Sequence, residues 1–165
     1  MQSWRMRLVL LAIVVATIGC DQASKHVASA RLVDGQRQSY LGDSVRLEYS
    51  ENPGGFLSLG ADLPGWARTA LFSGGSAILL LASVFSAFWH KLGRLALFGL
   101  WLWFAGTASN LLDRAGDGRV VDFLNVGIGP LRTGIFNIAD MAIMLGVALL
   151  IAGLRVMQRV ENDQA

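Results

Sequence analysis

The sequence predicts an all-α membrane protein: four transmembrane helices, with a small extracytoplasmic β-hairpin or sheet between the first and second spans. Three observations carry this. The 165 residues are 53% hydrophobic and only 16% charged, against about 25% charged for a soluble domain. Four long apolar stretches recur, over approximately 8–28, 69–89, 95–112 and 135–154, and about 20 such residues cross a hydrocarbon core of roughly 30 Å. Between the first two lies a long polar connection with strand and turn signals. One integral membrane domain, 1–165, is expected, with extracytoplasmic loops 29–68 and 113–134.

Leu8 to Cys20 is an apolar run of thirteen residues behind Arg5 and Arg7. Alone it has the length of a signal peptide, and Thr17-Ile18-Gly19-Cys20 loosely matches a lipoprotein cleavage box. Thr17 stands where such boxes favour leucine, and three longer apolar segments follow. The run therefore reads as the start of a first span that continues to about Ala28. Asp21, Ser24 and Lys25 then share one helical face. That spacing suits a helix-end ion pair as well as a site.

In the connection, Val45, Leu47 and Tyr49 alternate as in a half-buried strand. Glu51-Asn52-Pro53-Gly54-Gly55 is a turn signal, and Phe56 to Leu59 suits a returning strand. On the residues alone, a plain surface turn is the simpler reading of this stretch. Thr69 to Trp89 contains no charge and forms the second span. Leu95 to Leu112 forms the third. Its end places Asn110, Asp113 and Arg114 on one face, and the small Gly106, Ala108 and Ser109 invite close approach of another helix or a ligand. As an isolated motif, Asp113 beside Arg114 suits a solvated helix end better than a site.

Ile135 to Leu154 is the fourth span, and Asp140 is its only ionisable residue. A carboxylate costs about 2.5–3.5 kcal/mol in such a segment, so it reads as functional by default. With the helix starting at Ile135, Asp140 would lie about 7–8 Å into it. The tail after Leu154 carries Arg155 and Arg159 and is too polar to pack. Both termini fall on one side, together with Arg5, Arg7, Lys91, Arg94, Arg155 and Arg159. The positive-inside rule places that side in the cytoplasm. Asp21, Lys25, Asn52, Asn110, Asp113, Arg114, Asp122, Asn137 and Asp140 then converge on the outer face.

Composition narrows the chemistry. A formal charge of +2 with no basic cluster gives nothing to track phosphates, so no nucleic acid partner is expected. Cys20 is the single cysteine, and His26 and His90 stand in no ligand-spaced motif. No metal and no cofactor are expected. Carboxylates remain, and Asp122 with Asp140 is the pair the topology brings together.

The motifs in order are Asp21-Gln22-Ala23-Ser24-Lys25, Glu51-Asn52-Pro53-Gly54-Gly55-Phe56, Asn110-Leu111-Leu112-Asp113-Arg114, Val120-Val121-Asp122-Phe123 and Phe136-Asn137-Ile138-Ala139-Asp140. Together they resemble lipoprotein signal peptidase, the signal peptidase II family, over nearly the whole chain. The resemblance implies an aspartic endopeptidase of the bacterial cytoplasmic (inner) membrane. It would cut signal peptides from diacylglyceryl-modified prolipoproteins before the lipidated cysteine. By motif, Asp122 and Asp140 would be the catalytic pair. Asp21, Lys25, Asn52, Gly54, Asn110, Asp113, Arg114 and Asn137 would support the site or hold substrate. The resemblance also implies a monomer in contact with membrane lipid and inhibition by cyclic peptides of the globomycin type. The chain departs from the family pattern at Asn52-Pro53-Gly54-Gly55-Phe56, where the family usually shows N-x-G-A-A-F, and at Ser109, where it usually shows glycine.

Two adjacent carboxylates share a proton, so one takes a proton from water while the other donates to the scissile carbonyl. Asn137 is expected to bond a carboxylate or the substrate backbone, and an Asp21–Lys25 pair to brace the first helix against the loop. Two other functions fit a four-span chain: a small transporter or proton relay, and a non-catalytic lipoprotein-binding relative. The first would put acids deeper in the spans.

Overall fold

The computed structural model describes residues 3–32, 37–55 and 59–163. Four helices are long and apolar enough to cross a membrane. They are α1 (Trp4–Arg31), α2 (Gly65–Trp89), α3 (Arg94–Asp117) and α4 (Ile138–Asp163). Within α2 the residues Thr69–Gly74 form a turn of π-helix. Each helix runs past the apolar stretch that predicts it at one end or both, although α4 starts later than expected, at Ile138. Apolar composition marks the part that meets lipid, whereas hydrogen bonding can continue into polar turns beyond it. The helical tail remains mostly exposed as expected, except that Met157 reaches back and its sulfur accepts from the Gly93 N–H at 3.1 Å.

The outside of the bundle is apolar, and polar side chains are buried inside it. Leu81 is 71% exposed and Phe88 82%, whereas Asp21 and Asn137 are fully buried. In water such a surface would be an aggregation hazard. In lipid it is the solvated face.

α3 and α4 make the most extensive helix–helix contact. Glycine permits it. A Cβ on Gly99 would lie 2.6 Å from the Gly146 carbonyl oxygen, and one on Gly146 would lie 2.4 Å from the Trp103 amide nitrogen. Gly106, one of the small residues flagged by sequence, abuts the Ala139 carbonyl in the same way.

Four antiparallel strands lie at one end of the bundle in the order β1-β2-β3-β4: Gln38–Tyr40, Val45–Asn52, Val120–Ile128 and Leu131–Arg132. The sheet is therefore not confined to the first connection. Its central pair joins β2 to β3 from the second loop, with Ser50 opposite Asp122. Val120 to Ile128 is rich in β-branched and apolar residues, but it lies between two spans and was legible only as a motif. The returning strand expected at Phe56 to Leu59 falls mostly outside the described residues. Gly118 ends α3 in the left-handed conformation, φ +70°, and turns the chain directly into β3.

Candidate active site

Alternation along β3 sends Phe123 and Asp122 to opposite faces. Phe123 packs with Ala28 and Leu32 at the end of α1. Val120 and Asp122 face a cavity of about 560 Å³ between the sheet and helices α2, α3 and α4. Asp140 lines the same cavity. Both carboxylates are at least nine-tenths buried.

Asp140 is shallower in the helix than the sequence implies. α4 begins at Ile138, not Ile135, so Asp140 sits in its first turn. The reason is a capping box. The Asn137 side-chain oxygen accepts from the Asp140 N–H at 2.9 Å, and the Asp140 carboxylate accepts from the Asn137 N–H at 3.3 Å. Asn at the cap with an acid three residues on satisfies two otherwise orphaned donors. Just before it, Phe136 bridges to Leu124 of β3 through two backbone bonds of 2.8 Å. That bridge brings Asn137 to Asp122, and the Asn137 amide donates to the Asp122 carboxylate at 2.7 Å. One asparagine thus touches both aspartates.

Asn110, on α3, donates to the other Asp140 oxygen at 2.9 Å. Its own oxygen accepts from Lys25 at 2.8 Å. Asn52, at the end of β2, donates to the second Asp122 oxygen at 2.9 Å and to the Gly55 carbonyl at 2.9 Å. Its oxygen accepts from the Gly54 N–H. Arg114 donates to the Gly54 carbonyl at 2.8 Å and lines the cavity. Each of these residues belongs to the sequence-predicted set, and the fold brings them to one end of the bundle.

Lys25, only 4% exposed, pairs with Asp21 at 2.6 Å and with Asp113 at 2.7 Å. This corrects the expected role of the pair. It ties α1 to α3 and α4, not to the loop. Asp21 also accepts from the Ser109 hydroxyl and from the Ala139 N–H, both at 2.8 Å. A carboxylate from α1 thereby caps the start of α4, where the helix dipole favours negative charge. Two acids thus share one buried ammonium beside the site.

Ser24 does not join this face. Its hydroxyl bonds back to the Asp21 carbonyl, and it borders a separate crevice beneath the sheet. Sequence reasoning missed Gln22, whose amide donates to Asp113 at 2.7 Å and to Ser109 at 3.0 Å. Its place inside the first motif was the available signal. It also missed Phe72, Thr107 and Trp103 in the cavity wall. Two aromatic residues and a lone threonine in apolar spans carry no such signal.

Burial raises the Asp122 carboxyl to about 6, the Asn52 hydrogen bond opposes this, and neighbouring Asp140 adds to the rise. Such a group exchanges protons near neutral pH. Among the described residues, no group of three or more histidines, cysteines or acids is placed to hold a metal ion. The arrangement offers two carboxylates facing one cavity, held by neutral amide donors, with a cation nearby. That is acid–base equipment.

Similarity to known proteins identifies the family. The family described as Signal peptidase (SPase) II matches residues 13–156. The lipoprotein signal peptidase of Moorella thermoacetica is 34% identical over 148 residues, spanning 88% of this chain and 90% of that one. That of Citrobacter koseri is 33% identical, spanning 88% of each. That of Leifsonia xyli is 34% identical, and the match spans 86% of this chain but 65% of the longer relative. Among solved structures, a bacterial membrane enzyme superposes with a TM-score of 0.78 at 25% identity, over 93% of this chain and 90% of that one. A second superposes at 0.77 and 26% identity. Five motifs in order, four spans and a match over most of the length lead to one assignment: the chain belongs to the signal peptidase II family.

Proposed function

We propose that the protein is an aspartic endopeptidase of the bacterial inner membrane that removes signal peptides from diacylglyceryl-modified prolipoproteins. The observation that carries this is the shared cavity: Asp122 from β3 and Asp140 from α4 line it together, joined through Asn137. Family membership supplies the reaction class, and the site supplies residues suited to it.

The ionised aspartate takes a proton from water, and the protonated one donates to the scissile carbonyl oxygen. Attack gives a tetrahedral gem-diol. Proton return to the nitrogen breaks the C–N bond and frees the amine of the lipidated cysteine. The two apparent pKa values belong to the pair, not to either residue. Asn52, Asn110 and Asn137 hold the carboxylates. Asp21, Lys25 and Asp113 hold the helices that carry them, and Arg114 with Gly54 shapes the cavity rim.

The cavity runs from this polar end to apolar side chains such as Leu79, Ile143 and Val147 within the spans. A signal peptide would lie along that apolar part. The acyl chains would remain in lipid, with burial contributing about 0.8 kcal/mol per methylene. Charge bias supports both termini in the cytoplasm and the site near the outer face. The protein acts as a monomer, and a globomycin-type cyclic peptide would occupy the same cavity.

The test is purified protein in vesicles, offered a precursor with and without its diacylglyceryl group. Mass spectrometry should show a cut before the lipidated cysteine only. Intact lipidated precursor, or equal cutting of both, would contradict the proposal. A proton or solute flux in place of cleavage would favour the relay reading, although the buried charged groups Asp21, Lys25, Asp122 and Asp140 gather at one end.

A further inference from the structure

Phe72 lies in the π-helical turn Thr69–Gly74 of α2. Such turns carry one extra residue and re-aim side chains, often beside sites. Here the turn presents the Phe72 ring to the loop after β2. A Cβ on Gly55 would fall 2.7 Å from Phe72 Cε1, and one on Gly60 would fall 2.9 Å from its Cζ. The Arg114 guanidinium carbon stands 5.9 Å from the ring centroid. The ring is thus gripped by two glycines and an arginine.

The space that a methyl at Gly55 would take holds the Phe72 ring. The contact also leads to the site. Asn52 donates from one amide nitrogen to the Gly55 carbonyl and to Asp122, and its oxygen holds the Gly54 N–H. Arg114 holds the Gly54 carbonyl from the other side. Anything that shifts the backbone at 54–55 moves the donor on Asp122.

We propose that Phe72 is a positioning residue: its ring wedges the Gly54-Gly55 backbone against Asn52 and so orients the Asp122 carboxylate, with Gly55 and Phe72 as a matched small–large pair. The turnover effect rests on the peptidase reading, whereas the wedge itself can be read without it.

The test combines two readouts on the full-length protein in vesicles. Turnover of lipidated precursor should fall about tenfold or more in F72A and in G55A, in kcat more than in KM. The double variant G55A/F72L should recover to within a few-fold of wild type, because the added methyl replaces volume lost from the ring. Independently, the Gly55 N–H, bonded to the Leu59 carbonyl at 2.8 Å, should exchange with solvent about tenfold faster or more in F72A. F72L alone serves if F72A does not fold, with a smaller change of the same sign. Faster Gly55 exchange in a protein that cleaves nothing would uphold the wedge and sink the peptidase reading. Unchanged exchange, or a double variant as impaired as the two single losses multiplied, would overturn the pairing.

Discussion

In the half of the bundle away from the sheet, α3 and α4 meet backbone to backbone, at Gly99 against Gly146 and at Gly153 against Ala96. At the sheet end the same two helices are joined by a side-chain hydrogen bond from Asn110 to Asp140. Lipid offers no hydrophobic drive to bring helices together, so small residues and close packing hold the first region. The second region is held by buried groups that satisfy one another. The first should tolerate no added volume. The second should tolerate no lost partner, except where losing a charge relieves burial.

The largest effect belongs to the aspartates. D122N and D140N should each reduce cleavage by about 10²–10⁴-fold, while inserted protein remains at wild-type levels. Quantitative cleavage beside membrane-fraction abundance checks this, and near-normal turnover of either variant would remove it from the reaction.

Next comes Lys25. K25M leaves Asp21 and Asp113 without their shared cation, and removing one partner from a buried ion pair costs about 3–5 kcal/mol. Lower thermal stability in detergent, with activity lost in step, is the expected result. Unchanged stability would mean the network is not what holds α1.

In the glycine seam the expectation is different in kind. G146A must push the Trp103 backbone aside, and overpacking costs about 1–3 kcal/mol. Molecules that remain folded should retain their turnover number, because the seam touches no carboxylate. Equal losses of turnover per folded molecule would show that the two regions are coupled.

The smallest effect is a pH dependence. The Asp122 carboxyl titrates at about 6 when folded and near 3.8 in its ordinary state. Its raised value favours the fold below about pH 4, and this advantage is lost as pH rises through about 6. D122N cannot ionise. Its stability relative to wild type should therefore improve between pH 4 and 7, by of the order of 1–3 kcal/mol. A constant difference across that range would show that Asp122 carries no burial penalty.

Much of this was legible in the chain. Apolar length announced the spans, and the clustering of Asp21, Lys25, Asn110, Asp122 and Asp140 at one end followed from counting spans. The capping box at Asn137 and Asp140 was also present as a three-residue spacing, but the apolar flanks of the span masked where the helix begins. The pairing of β2 with β3 was not legible, because strand partners far apart in sequence leave no periodic trace. The π-helical turn at Phe72 and the seam partners of Gly99 arise only from packing.

The most direct measurement of the central claim is single-turnover cleavage of lipidated precursor by wild type, D122N, D140N and the double variant. Groups that act as one unit lose their whole contribution when either is removed. The account predicts that D122N/D140N is no slower than the slower single variant. Losses that multiply would show two independent carboxylates and contradict a shared-proton pair.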